Sequence, residues 1–104
     1  MGASRLDVLK GLVEKSPDDN RLRYMLAMEL SNTGNLEGAL HEYEAIIAND
    51  ADYVAAYLQG GHALAKLGLT GQARQFYQRG IEACRRTGDE HTRNELEGIL
   101  AALD

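Results

Sequence analysis

Residues 26–47, LAMELSNTGNLEGALHEYEAII, align with residues 60–81, GGHALAKLGLTGQARQFYQRGI, when the chain is shifted along itself by 34 positions. The two segments agree in residue type where a helical fold is demanding: at a turn glycine, a small residue and an aromatic residue. This shift, which we call the repeat interval, has room for two helices and their turns, so the sequence predicts consecutive helical hairpins. The five identities are Leu30 with Leu64, Gly34 with Gly68, Ala39 with Ala73, Tyr43 with Tyr77, and Ile47 with Ile81.

Glycines and turn residues divide the whole chain into helix-sized pieces. Apolar residues recur at helical spacing between these breaks, and no segment alternates for long with the period of a strand. We expect Ser16 to cap the second helix, Pro17 to occupy its first position and Gly34 to end it in a left-handed turn. The sequence therefore predicts an all-α fold of about six helices. They extend from Ser4 to Lys15, from Ser16 to about Asn32, from Asn35 to Asn49, from Asp52 to about Gly68, from there to Thr87, and onward from Asp89.

Composition and charge limit the classes of function. The chain has 104 residues, 44% hydrophobic and 26% charged, as expected of one soluble domain. Its net charge of −5 argues against general nucleic-acid binding, which needs an excess of Lys and Arg. No segment approaches the roughly 20 apolar residues that cross a bilayer, and the N-terminus lacks a secretory signal pattern. We therefore expect no nucleic-acid partner, no membrane association and a cytoplasmic location.

The repeated unit resembles the tetratricopeptide repeat. The resemblance is carried by Leu26, Ala27, Leu30, Gly34, Ala39 and Tyr43 in the first unit, and by Tyr57, Gly61, Leu64, Gly68, Ala73 and Tyr77 in the second. It implies a right-handed superhelix of antiparallel helix hairpins, as a single domain over residues 1–104. The implied parts are an N-terminal helix (4–16), repeat 1 (18–51), repeat 2 (52–86) and a C-terminal capping helix (89–104).

Four positions depart from the pattern of the family. Ala51 and Arg85 stand where the second helix of a unit is usually followed by proline. Arg23 replaces the usual aromatic or aliphatic residue, and Gly60 replaces leucine. The two units are therefore degenerate copies of the family pattern.

Tetratricopeptide domains bind proteins or peptides on a concave surface lined by the first helix of each unit. The resemblance therefore implies a protein-interaction scaffold with an unidentified protein or peptide partner. The implied binding residues are Arg21, Tyr24, Met28, Asn32, Ala55, Leu58, Gln59, His62 and Lys66. Tyr24, Met28 and Leu58 have a second interpretation, because their helical spacing also fits core positions.

Catalysis requires reactive groups held close together, and the sequence shows no such grouping. His41, His62 and His91 lie on different helices without the spacing of a metal site. Cys84, the only cysteine, falls on an apolar helix face where a buried inert thiol is expected. We therefore expect no enzymatic activity, no metal and no cofactor.

Self-association is the alternative function. A short helical solenoid exposes apolar ends unless its terminal helices have a polar outer side. The sixth helix suits such a cap, whereas the first carries Val8 and Val13 beside a stripe that includes Leu9 and Leu12. The first helix could therefore pack against a second copy to form a homodimer, or the chain could be a structural spacer in a larger protein.

Some family members hold the acidic C-terminal tail of chaperones with a clamp of Lys, Asn and Arg residues on successive first helices. The matching positions here are Tyr24, Met28, Gln59, Asp89 and Arg93, of which only Arg93 fits the clamp. We predict no measurable affinity for a chaperone-tail peptide in calorimetric titration, because the cations that would neutralise the tail are missing. A micromolar dissociation constant would contradict this prediction.

Overall fold

A computed structural model describes residues 4–103 of the chain, and these residues form six α-helices. No strand occurs among them, so the all-α prediction is confirmed. Residues 1–3 and 104, which the predicted domain range includes, lie outside the described residues. The helices are α1 (Arg5–Lys15), α2 (Asn20–Asn32), α3 (Leu36–Asn49), α4 (Val54–Lys66), α5 (Thr70–Thr87) and α6 (Glu90–Ala102).

Each helix packs against the next one along the chain. The result is a right-handed superhelix of antiparallel hairpins, with principal dimensions of 47 × 28 × 19 Å. Helices α2 and α3 form one hairpin, and α4 and α5 form the other. We refer to α2 and α4 as first helices and to α3 and α5 as second helices.

Left-handed glycines end both first helices, as predicted. Gly34 and Gly68 have φ angles of 91° and 81°, a region that residues with a Cβ rarely occupy. After Gly34 the Asn35 N–H donates to the Leu30 carbonyl at 2.8 Å, and the corresponding bond in the second hairpin, from Leu69 to Leu64, measures 2.9 Å. The two hairpins are therefore closed by the same turn, which satisfies carbonyl groups at the helix end.

The beginning of α2 differs from the prediction. Ser16 does not cap α2 but ends α1, where its N–H donates to the Leu12 carbonyl at 3.0 Å. Asp19 is the cap instead, because its carboxylate accepts two backbone N–H bonds from the first turn of α2. Pro17 consequently lies in the turn between the helices and not in α2.

Where α4 and α5 cross, the aromatic ring of Tyr77 packs directly on the backbone of Gly61. A Cβ added to Gly61 would lie 2.3 Å from Tyr77 Cε1, so no side chain fits beneath the ring in its present position. Tyr77 is 1% exposed, and Ala73, one turn earlier, is fully buried. In the α2–α3 hairpin, Ala27 corresponds to Gly61 and Tyr43 to Tyr77. Both Ala27 and Tyr43 are buried, at 0% and 1% exposure. Small residues thus allow the helices of each hairpin to approach closely.

Arg23, which departs from the family pattern, is accommodated by two polar contacts. Its Nη1 donates to Glu42 Oε1 at 2.8 Å, and its Nε donates to the Pro17 carbonyl at 2.7 Å. At the same place in the second repeat, the Tyr57 hydroxyl donates to the Ala51 carbonyl at 2.8 Å. Arginine and tyrosine therefore make the same bond to the preceding turn, while the largely buried guanidinium is also paired with a carboxylate.

Gly60 also departs from the family pattern, and the space beside it is filled by a ring from across the hairpin. A Cβ on Gly60 would lie 2.6 Å from Phe76 Cε2, so the phenylalanine occupies the volume that a leucine would need. The first repeat has the opposite arrangement, with Leu26 buried and Glu42 in place of the phenylalanine. A larger residue on one helix is matched by a smaller one on the other, which keeps the interior filled.

Helix α1 buries part of the stripe that its apolar pattern predicted. Leu9 and Val13 are buried, at 3% and 7% exposure. Leu12, which the pattern placed on the inner stripe, is 40% exposed and lies near Val8, which is 49% exposed. α1 has apolar residues on more than one side, and spacing alone does not show which side a neighbouring helix covers.

Helix α6 is displaced along the chain from the place that the repeat interval gives it. α2 and α4 begin at Asn20 and Val54, one interval apart, but α6 begins at Glu90 and not at Gly88. The displacement follows from the length of α5, which has 18 residues against 14 in α3. α6 packs on α5 through Leu96, which is fully buried and comes within 3.0 Å of the place that a Cβ on Gly80 would occupy.

Deletion of residues 89–104 tests whether α6 is a cap. The deletion removes Leu96 and exposes the side of α5 that it covers, so we expect the free energy of unfolding to fall by about 3 kcal/mol or more. Urea denaturation followed by circular dichroism measures the change. An unchanged unfolding midpoint would contradict the capping role.

Candidate functional site

The nine residues implied for partner binding lie on the first helices α2 and α4, and we call their surface the groove face. None of the nine is fully buried. Arg21, Asn32 and Lys66 are exposed, whereas Tyr24, Met28, Ala55, Leu58, Gln59 and His62 are partly buried. The groove face therefore combines charged and polar residues open to solvent with partly buried apolar, aromatic and polar residues.

Tyr24 joins the two first helices. Its ring centroid is 6.0 Å from that of Tyr43 and 5.8 Å from that of Tyr53, which precedes α4. Burial raises the pKa of the Tyr24 hydroxyl, Tyr53 raises it further, and a hydrogen bond with Gln59 opposes the change. An aromatic surface and an amide from different repeats therefore stand side by side on the groove face.

Met28 and His62 each contact the hydroxyl of a core tyrosine. The Tyr43 hydroxyl donates to Met28 Sδ at 3.1 Å, and the Tyr77 hydroxyl lies 2.8 Å from His62 Nδ1. Both members of the second pair follow those of the first by one repeat interval. Each repeat thus uses one groove-face residue to satisfy the polar end of a buried ring.

His62 is kept as a neutral imidazole at neutral pH. Burial lowers its pKa below the ordinary value, against an opposing effect of Glu95 on α6, and Lys66 lowers it further. Burial also raises the pKa of Tyr77, which keeps that hydroxyl protonated. The Tyr77 O–H can donate to Nδ1 in the imidazole tautomer that carries its proton on Nε2.

Tyr24, Met28 and Leu58 lie between core and surface. All three pack against the buried cluster, and all three keep part of their side chain open. Their partial burial is compatible with both interpretations of the sequence pattern. Inner atoms stabilise the hairpins, and outer atoms are accessible to a partner.

Two residues beside the groove face were not predicted. Tyr53 contacts Tyr24, and Glu95 influences the pKa of His62. Tyr53 occupies the cap position of α4 but makes no capping bond, whereas Asp19, one repeat interval earlier, makes two. A tyrosine at a cap position is a sequence signal for another role. Glu95 carries no such signal, because its location depends on the displacement of α6.

The displacement of α6 also changes the expectation for Arg93. Counted from the starts of α4 and α6, Arg93 corresponds to Tyr57, a packing position between helices, and not to Gln59 on the groove face. Its Nε is buried without a hydrogen-bond partner among the described residues, and Glu97 Oε1 is 3.9 Å away. The one residue that matched the chaperone-tail clamp therefore does not correspond to a groove position.

Within residues 4–103 no group of three or more His, Cys, Asp or Glu residues is placed to hold a metal ion. No helix of the same range combines the length and apolar character needed to cross a membrane. Cys84 is 1% exposed, and burial raises the pKa of its thiol, which disfavours the reactive thiolate.

Comparison with known proteins identifies relatives of the repeats. A family model described as a tetratricopeptide repeat matches residues 21–53 and 54–87. The TPR repeat-containing protein PA0015 of Pseudomonas aeruginosa is 25% identical over 99 residues, which cover 95% of this chain and 94% of that protein.

Solved structures agree with the fold. A tetratricopeptide repeat domain protein from Salinibacter ruber is 31% identical, with a TM-score of 0.80 over 86% of this chain and 90% of that one. The type III secretion translocator chaperone SycD of Yersinia enterocolitica has a TM-score of 0.87 at 16% identity, over 94% of this chain and 68% of that one. The TPR2B domain of yeast Sti1, in complex with pHsp70, has a TM-score of 0.85 at 14% identity, over 92% and 77%. Because the family model matches more than half of its residues, this chain belongs to the tetratricopeptide repeat family.

Proposed function

We propose that this chain binds a partner protein or peptide along the groove face and performs no catalysis. Tetratricopeptide repeats commonly serve as protein-interaction modules. Among the related structures, Sti1 TPR2B is in complex with pHsp70, and SycD is a translocator chaperone. The observation that supports the proposal most is a row of partly buried, chemically mixed side chains on α2 and α4: Tyr24, Met28, Leu58, Gln59 and His62.

The groove face suits a partner that presents an apolar or aromatic side chain flanked by hydrogen-bonding groups. Tyr24 and Met28 offer polarisable surface that contacts with Tyr43 already restrain. Gln59 supplies both a donor and an acceptor, and Lys66 supplies an exposed positive charge. Because the apolar residues are restrained before binding, little side-chain entropy is lost when a partner arrives.

A binding role is also supported by the state of the reactive residues. His62 Nδ1 is engaged with the Tyr77 hydroxyl, and Cys84 is buried. Neither is therefore presented to a ligand as a general base paired with a nucleophile.

A peptide selected from a random display library against the immobilised chain tests the proposal. Tyr24→Ala should weaken binding of that peptide about tenfold or more, because aromatic anchors at interfaces often contribute about 2 kcal/mol. Gln59→Ala should weaken binding about threefold, through loss of hydrogen bonds. Gln78→Ala, the same change at an exposed residue of α5, should have no effect. Isothermal titration calorimetry measures each dissociation constant.

Urea unfolding of every variant separates loss of binding from loss of folding. If Tyr24→Ala unfolds under the binding conditions, Tyr24 is a core residue and Gln59→Ala decides the question. Equal effects of Gln59→Ala and Gln78→Ala would contradict the proposal. In an NMR titration with the same peptide, chemical-shift changes confined to the surfaces of α3 and α5 that point away from the groove face would contradict the proposal as well.

A further inference from the structure

One side of helix α1 is exposed. In the second helices α3 and α5, the equivalent side faces a first helix. A shift by one repeat interval takes Val8 to Glu42 and Leu12 to Ile46. The Glu42 side chain is 13% exposed where it pairs with Arg23 of α2, and Ile46 is fully buried. Val8 and Leu12 are 49% and 40% exposed. Among the described residues, α1 is thus a second helix without a first helix to cover it.

The α4–α5 hairpin shows the same correspondence. A further repeat interval takes the two positions to Phe76 and Gly80. Phe76 is 8% exposed, with its ring centroid 6.3 Å from that of Tyr57 on α4. A Cβ on Gly80 would lie 2.9 Å from the Tyr57 Cβ of α4 and 3.0 Å from Leu96 Cδ1 of α6, so this position lies against both neighbouring helices. In both hairpins a first helix covers the side that α1 leaves open.

Helix α6 is the complementary half of a hairpin. It has 13 residues, as α2 and α4 have, and when its start is aligned with that of α4, Arg93 and Leu100 correspond to Tyr57 and Leu64. Tyr57 and Leu64 are 3% and 1% exposed in the α4–α5 hairpin. Leu100 is only partly buried, and Arg93 Nε lacks a hydrogen-bond partner among residues 4–103. α6 therefore resembles a first helix whose second helix is not supplied by the described chain.

Opposite charges stand where the two halves would meet. In the α2–α3 hairpin, Asn49 Nδ2 donates to Asn20 Oδ1 at 3.1 Å, joining the end of the second helix to the start of the first. The corresponding residues are Lys15 at the end of α1 and Glu90 at the start of α6, and both are exposed. A hairpin assembled from α6 and α1 would place an ammonium beside a carboxylate.

We propose that α6 of one copy packs against α1 of a second copy and so completes a hairpin between chains. The occupant of the open side of α1 is therefore a second copy of this protein. The contact joins two different surfaces, so each added copy presents another free α1 and another free α6, and assembly continues end to end. This inference does not rest on the groove face, which lies on α2 and α4.

Charge exchange tests the proposal by sedimentation of the full chain over a range of concentrations. The average mass of the wild type should rise past twice the monomer mass, and more so at low salt. Lys15→Glu and Glu90→Lys each bring like charges together, and each should weaken association about fivefold or more. The double variant restores an opposite pair, so it should associate as the wild type does.

Lys10→Glu and Glu44→Lys are matched controls, since they make the same charge changes at other exposed residues. Both should associate as the wild type does. The double variant also tests whether the single variants weaken association only by destabilising the ends of α1 and α6. Both charge changes oppose the helix dipoles. If they acted only through helix stability, the double variant would associate more weakly than either single variant.

A protein that stays monomeric up to about 1 mM would overturn the proposal. A closed dimer that Glu90→Lys leaves intact would overturn it too, because that result places α1 against α1. A double variant that associates no better than the single variants would have the same consequence. Circular dichroism of each variant establishes that folded proteins are compared.

Discussion

The ring of Tyr77 on the bare backbone of Gly61 is the contact on which the rest of the structure depends. With no side chain at Gly61, α4 and α5 approach until the ring fills the space between them. The first hairpin uses Ala27 and Tyr43 at the same positions, so the repeat interval is the separation along the chain between two equivalent crossings. The left-handed turns at the ends of the first helices bring each crossing into register.

The same tyrosines connect the core to the groove face. Their hydroxyl groups emerge beside Met28 and His62, so two of the implied binding residues are oriented by contacts that also satisfy the core. Packing at other positions within each hairpin varies more freely. Arg23 with Glu42 in one hairpin and Tyr57 with Phe76 in the other fill one position by different chemistry. The fold therefore constrains the tyrosine crossing strictly and allows exchange of matched partners elsewhere.

Much of this architecture was predictable because it depends on residues with few structural alternatives, such as glycine at positive φ and an aromatic residue opposite a small one. Choices between neighbours of similar chemistry were not predictable. Asp19 displaced Ser16 as a cap, and the exposure of Leu12, on the same predicted stripe as the buried Leu9, depends on where α2 lies. The nine groove-face residues follow from the family pattern. Tyr53 and the position of α6 do not, because the first depends on distances between helices and the second on the length of α5.

The unfolding free energies of Gly61→Ala and Gly98→Ala, compared by urea denaturation, test the central contact most directly. The new Cβ of Gly61→Ala meets the Tyr77 ring, so we expect a loss of about 1–3 kcal/mol. At Gly98, also within a helix, nothing lies within 4 Å of the added Cβ, and the substitution should stabilise by up to about 1 kcal/mol. Equal effects of the two substitutions would contradict the account, since the crossing would then make no special demand for glycine.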